Sequence, residues 1–139
     1  MEIKLIGRVV AVGFANGIVR FLLLKEKGFF LLRSLKVHPN GILYLRFSGD
    51  GKKIVIVSEI GDIFFLETDP NNLHNYEPFC LFETKYRVNS IVWNKFDDKI
   101  LLACRDGCIY ELKVPKKVKK IKFLIFITIF NLISRNNVT

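Results

Sequence analysis

From residue 8 to residue 114 no stretch repeats apolar residues at helical spacing for as many as three turns, which excludes a helical bundle there. Histidine is scarce, with only His38 and His74. The three cysteines, Cys80, Cys104 and Cys108, lack the partner pair or histidine ligands of a zinc site. An odd number of cysteines set in apolar runs, with no cleavable signal sequence ahead of the first strand-like segment, implies reduced, buried thiols in a cytoplasmic protein. No glycine-rich segment opens a helix after a strand, so the phosphate-binding loops are missing. No Ser or Cys is paired with either histidine by position, and the adjacent carboxylates Asp97 and Asp98 fall on a turn, where a solvated role is expected. Catalytic, cofactor-binding and metal sites are therefore not expected, nor is a small-molecule substrate.

Acid is absent from the C-terminal segment. Lys116, Lys117, Lys119, Lys120, Lys122 and Arg135 have no acidic neighbour after Pro115, whereas residues 1–115 carry 16 basic and 13 acidic residues, a net of +3. The overall charge of +9 is thus mostly a property of the tail. A cationic, aromatic-rich surface of the kind that stacks nucleic-acid bases is not indicated in the body.

What is present is an all-β pattern. Short runs rich in Val, Ile, Leu and Phe fall at 8–14, 18–24, 29–36, 42–48, 53–58, 63–68, 79–84, 88–94, 99–104 and 108–114. Turns rich in Gly, Asp and Asn separate them, as tight hairpins require. Gly17, Gly61 and Gly107 lie 44 and 46 residues apart, within "VVAVGFANGIVRFL", "IVIVSEIGDIFFL" and "ILLACRDGCIYEL". Upstream, "ILYLRFSGDGKKI" aligns with "VNSIVWNKFDDKI", placing Phe47 opposite Trp93. A period of about 40–45 residues is that of a four-stranded propeller blade.

These motifs resemble the WD40 β-propeller family. His38 stands at the family's His position after Val37, and Phe47-Ser48-Gly49-Asp50-Gly51 matches its Phe-Ser-Pro-Asp-Gly turn. Ser58 fits the small polar position ending the third strand. Ile60-Gly61 keeps only the glycine of the Asp-Gly pair, while Asp106-Gly107 keeps both, and Leu66-Glu67 and Leu112-Lys113 replace the closing Trp-Asp. The resemblance therefore implies that the family's His–Ser–Asp–Trp hydrogen-bond network does not form fully in either unit. The segments "AVGFANGIVRF", "GDIFFLE", "NYEPFCLF" and "ILLACRDGCIYELKVP" further resemble the axonemal WD-repeat proteins. That likeness implies a non-enzymatic scaffold of the cilium or flagellum, tethering inner dynein motors.

Strand counting predicts a half blade over 8–24 and blades over 29–68 and 79–114, an open piece of a propeller that closes with about four to eight blades. The chain is therefore expected to be part of a larger ring, or to close with another chain. Between the last two blades, a surface loop bearing Pro70, Asn71, Asn72, His74 and Tyr76 is the expected contact element for protein partners. The tail, 116–139, departs from the repeat. Its apolar run from Phe123 to Ile133 is shorter than the roughly 20 residues of a membrane-crossing helix. Three readings stay open: translated non-coding sequence, suggested by Lys, Ile, Phe and Asn with their A/T-rich codons; a segment packing on the blades; or a basic, apolar membrane contact. The functional expectation is a protein-interaction scaffold. The alternatives are an adaptor in another intracellular complex, or a peripheral binder of membrane or nucleic acid through the tail.

Overall fold

In the computed structural model, which describes residues 2–4, 9–69, 71–84 and 86–116, every regular element is a β-strand. The first sheet runs β1 (Glu2–Lys4), β2 (Val9–Gly13), β3 (Ile18–Lys25), β4 (Gly28–Lys36). The second runs β5 (Ile42–Phe47), β6 (Lys53–Ser58), β7 (Ile63–Asp69), β8 (Asn72–Phe82), and the third β9 (Val88–Trp93), β10 (Lys99–Cys104), β11 (Ile109–Lys113). All pairings are antiparallel between strands adjacent in sequence, so each sheet is a meander.

The second sheet lies between the other two. Its innermost strand β5 meets β1 and β2 on one side and β9 on the other, while β4 meets β8 at the opposite edge. This position explains the unbroken apolar run of β6. Ile54 and Ile56 enter the core shared with the first sheet, and Val55 and Val57 the core shared with the third. In β7, Phe64 and Leu66 divide from Ile63 and Phe65 in the same way. A strand covered on both faces has no polar side to alternate with. By contrast, β10 alternates, burying Ile100, Leu102 and Cys104 but exposing Leu101, because only one of its faces is covered. Each such side chain, fully buried, contributes about 1.5–3 kcal/mol from removal of apolar surface from water.

Two expectations about organisation are corrected. Residues 29–36 do not open the middle blade: β4 folds back on β3 with Lys25 paired to Gly28, and it completes a four-stranded first sheet in place of the half blade expected over 8–24. The sequence repeat and the blade are offset by one strand. Nor do Asn72, His74 and Tyr76 lie in the expected surface loop, since β8 begins at Asn72 and pairs with β7 from Asp69 onward. Pro78, which reads as a strand breaker, sits on an outer strand opposite Leu66, beside the register shift between Phe65 and Leu66. A missing N–H is tolerated at such a bulge on an edge strand.

Candidate functional site

The polar residues singled out by sequence gather at the hairpin turns, where they tie one sheet to the next. His38 and Ser58 are buried, and Asp62 lies close to them. The Asn40 backbone N–H donates to His38 Nδ1 at 3.0 Å, so Nδ1 is the acceptor and Nε2 carries the proton. Nε2–H then donates to Asp62 Oδ2 at 2.9 Å. The Asp62 backbone N–H donates to Ser58 Oγ at 3.1 Å, and the Phe64 ring meets the imidazole edge-on at 5.3 Å between centroids. The carboxylate that the Ile60-Gly61 alignment had marked as missing is thus supplied by Asp62, on the far side of Gly61. Phe64 packs on the histidine, while Leu66 faces the core shared with the first sheet. A His38–Asp62 pair is thus present, with Ser58 bonded to the Asp62 backbone and no tryptophan.

Ser48, Asp50 and Gly51 build the β5–β6 turn. Ser48 Oγ donates to Asp50 Oδ1 at 2.7 Å, and Asp50 Oδ1 also accepts the Lys52 N–H at 2.9 Å. Partial burial acts against ionisation of Asp50. The Ser48 and Lys52 hydrogen bonds and the Lys53 and Lys52 charges outweigh it, holding the carboxyl below its ordinary value. Asp97, expected as a solvated turn residue, instead reaches back from the third sheet. Its two carboxylate oxygens accept the N–H groups of Gly49 and Asp50. Trp93 is half-buried against the core of the second and third sheets, packs edge-on against Phe65 and donates its indole N–H to the Arg46 carbonyl at 3.2 Å. The Tyr44 hydroxyl donates to the Asn89 carbonyl, a further bond between the same two sheets.

At Asp106-Gly107, where the histidine partner is absent, the carboxylate is held inside its own hairpin. Asp106 accepts the Tyr110 hydroxyl through Oδ2 and the Cys108 N–H through Oδ1, at 2.9 Å for the latter. The Tyr110 hydrogen bond is the main reason that Asp106 titrates below its ordinary value and Tyr110 above. Tyr110 stacks on Tyr86 at 5.2 Å. Cys80 and Cys104 are buried, and burial pushes their thiols up to about 12 and about 11. Cys108, expected to be buried, is exposed beside its turn. The Cys104 backbone N–H donates to the Cys108 carbonyl across the hairpin at 3.0 Å.

The expected partner-contact loop divides. Pro70 lies outside the described residues. Asn71 and Asn72 are exposed at the tip of the β7–β8 hairpin, where Asp69 accepts the Asn71 N–H at 2.9 Å. His74 is exposed but bridges to the first sheet, its ring bonded to the Leu32 carbonyl at 3.0 Å. Tyr76 is removed from any contact role because it is buried and stacked on Phe21 with centroids 3.7 Å apart. The tail readings concern residues 116–139, which apart from Lys116 lie outside the described residues. No helix among the described residues is long and apolar enough to cross a membrane. Among the same residues no group of three or more His, Cys, Asp and Glu is placed to hold a metal ion.

The sequence matches no family model and no curated protein. Solved structures are similar. The C-terminal WD40 domain of Sif2 superposes with a TM-score of 0.62 at 19% identity, over 76% of this chain and 30% of that one. A chain of the Chaetomium thermophilum polycomb repressive complex 2 gives 0.67 at 20%, over 81% and 24%. The periplasmic gluconolactonase PpgL of Pseudomonas aeruginosa gives 0.64 at 12%, over 76% and 34%. At these identities the likeness is one of fold: an open arc of a WD40-type β-propeller. The chain spans between 24% and 34% of the length of these structures.

Proposed function

We propose that this chain is a non-enzymatic scaffold that binds other proteins through the surfaces its blades hold in place. The observation carrying this reading is the use to which the polar side chains are put. His38, Asp62, Ser48, Asp50, Asp97 and Asp106 are engaged with backbone groups, with one another or with Tyr110, so their hydrogen bonds fix turns. Side chains so engaged rigidify a surface. The assembly named for one similar structure, a polycomb repressive complex, supports protein partners, whereas the gluconolactonase is the reason to test for hydrolysis. Fold alone does not decide between them.

The finer reading, a role in the ciliary or flagellar axoneme with dynein-tether components as partners, rests on the resemblance of the four quoted segments to the WD-repeat cilia- and flagella-associated protein 44. Expression of the tagged chain in ciliated cells tests it. Retention on axonemes after detergent extraction and high salt supports that role, and a wholly soluble cytoplasmic distribution removes it. Lactone hydrolysis by the purified chain above the buffer rate, lost on unfolding, sinks the non-enzymatic reading independently.

A further inference from the structure

Successive turns of a meander lie at alternate ends of its sheet. The connection holding His38 and the turns holding Asp62 and Asp106 share one end. The β3–β4, β5–β6 and β9–β10 turns share the other, where Asp97 ties the last two together through the Gly49 and Asp50 N–H groups. β11 also runs toward that end, and the exposed Lys116 follows it.

Two turns at this end carry bare aromatic rings. Phe96, in the β9–β10 turn, is 78% exposed. In the first sheet Phe29, Phe30 and Leu31 follow the β3–β4 turn directly, and all three are exposed. Phe29 pairs with Leu24 and Leu31 with Leu22 on the outward side, whereas Phe30 pairs with Leu23 on the side of the shared core. Exposure on both sides marks a projecting tip, in contrast to a face left for another sheet. The bond from the His74 ring to the Leu32 carbonyl shows how far the tip projects. Only Asn72 and Leu73 precede that point in β8, but β4 has Gly28 to Leu31 before it. Contiguous apolar residues left in water in this way mark a place of contact.

The charges around the rings narrow the contact further. Lys25 Nζ stands 4.8 Å from the Phe30 ring centre, and Lys95 Nζ stands 5.9 Å from that of Phe96. Lys27 is exposed at the first tip, with Glu26 between it and Lys25. The carboxylates of Asp50 and Asp97 at this end are turned to backbone N–H groups. From Lys116 onward the sequence has six basic residues and no acid. Apolar tips beside ammonium groups match the headgroup–acyl boundary of an anionic bilayer, which takes up the rings and offers phosphates to the lysines. Stacked nucleic-acid bases fit less well, since Leu31 has no ring and a lysine already stands over both Phe30 and Phe96.

We propose that the β3–β4 and β9–β10 tips insert into the surface of an anionic membrane, with Phe29, Phe30, Leu31 and Phe96 entering the headgroup–acyl boundary. Flotation of the full chain with vesicles of equal parts phosphatidylcholine and phosphatidylserine tests it. The chain is expected to float with these vesicles, and about tenfold more weakly with phosphatidylcholine alone. Failure to float with either, or equal flotation with both, overturns the proposal. Phe30→Ser with Phe96→Ser leaves the basic segment from Lys116 intact and so separates the tips from it. This variant is expected to partition about tenfold more weakly while keeping the strand spectrum and melt of the parent. Undiminished partitioning would assign the binding to the basic segment alone and overturn insertion of the tips. If the pair unfolds the chain, Phe96→Ser alone replaces it, and flotation equal to the parent again overturns the proposal. Capture of a single-stranded oligonucleotide by a chain that ignores the vesicles overturns it in favour of nucleic acid.

Discussion

Both oxygens of the Asp97 carboxylate accept backbone N–H groups of the neighbouring sheet, from Gly49 at 2.8 Å and from Asp50 at 2.9 Å. Asp97 itself sits at a φ of 55°, a conformation that aspartate tolerates better than most residues. Its backbone thus turns its own hairpin while its side chain closes the orphan donors of another. Hydrogen bonds to a charged group contribute about 1.5–3 kcal/mol each when protected, and less where water competes, as it does here. Asp97→Ala is expected to lower stability by about 1–2 kcal/mol, with Asp97→Asn, which keeps one acceptor oxygen and the turn preference, in between. Urea unfolding followed by circular dichroism measures it. Equal midpoints for the alanine variant and the parent chain would show that the contact contributes nothing.

The period was legible because its marker is conformational: Gly17, Gly61 and Gly107 all adopt positive φ. Blade boundaries were not. A strand such as β4 carries the same apolar residues whichever hairpin partner it takes. β1 is three residues with two charges, and so leaves no apolar run to read. Pro78 disguised β8. The candidate site was half legible. His38 and Ser58 stand where the motif puts them, but the acid comes from Asp62, after the glycine instead of before it. The Asp97 contact spans 47 and 48 residues and leaves no local trace. A pairing with that separation becomes visible only once the sheets are stacked.

Gly61 and Gly107 share a positive φ but not their surroundings. A Cβ on Gly61 would lie 2.4 Å from the Tyr86 carbonyl oxygen, in the segment leading to the next sheet, whereas one on Gly107 would meet nothing within 4 Å. Gly107→Ala should therefore cost only the backbone strain, about 1–2 kcal/mol. Gly61→Ala should cost more, because a backbone carbonyl must also move. Thermal melts of the two variants check the order, and an equal loss would mean that the segment at Tyr86 yields freely.

Thiol reactivity should divide in the native state. Burial raises Cys80 to about 12 and Cys104 to about 11, so neither supplies appreciable thiolate at neutral pH, and both are shielded from reagent. Cys108 is exposed. A brief treatment with an alkylating reagent at pH 8 should label Cys108 alone, and labelling after denaturation should reach all three. Peptide mass spectrometry reads the pattern; modification of Cys80 in the folded chain would contradict the packing of β8.

Alkaline pH should loosen the fold through two tyrosines. Burial raises Tyr76 to about 12, and the hydrogen bond to Asp106 leads in raising Tyr110 above its ordinary 10. A raised folded value means that the folded state holds its proton more tightly than the unfolded one. The stabilisation is therefore complete below pH 10 and declines as pH rises toward the folded values. At the acid end, Asp50 and Asp106 titrate below 3.8, so their contribution is complete above that value and fades as pH falls through the lower folded ones. Tyrosinate absorbance at pH 10–11 should omit Tyr76 and Tyr110 until the chain unfolds. Substituting either by Phe should leave the folded-state absorbance there unchanged, and a drop on substitution would show that residue already ionised.

The His38–Asp62 bond carries the sharpest test of how the first and second sheets are joined. His38 precedes β5, yet its backbone N–H reaches the Gly17 carbonyl of the first sheet at 3.3 Å, and its ring reaches Asp62 in the β6–β7 turn. One residue thus fixes a connection and a hairpin together. Removing either partner leaves the other near the core without its hydrogen bond, so His38→Ala and Asp62→Ala should each lose about 1–3 kcal/mol. The double variant should lose less than the two losses added, because the second change removes a group already unpartnered. A coupling of about 0.5–3 kcal/mol is the expected range for residues in one hydrogen-bond network. Nitrogen-15 spectra of the imidazole provide a readout independent of stability. They should show the Nε2–H tautomer in the parent chain, because Nδ1 accepts the Asn40 N–H. Additive losses together with the opposite tautomer would refute the pairing. A coupling within the range, with Nε2 protonated, would establish that this hairpin is locked by an aspartate from the unexpected side of its glycine.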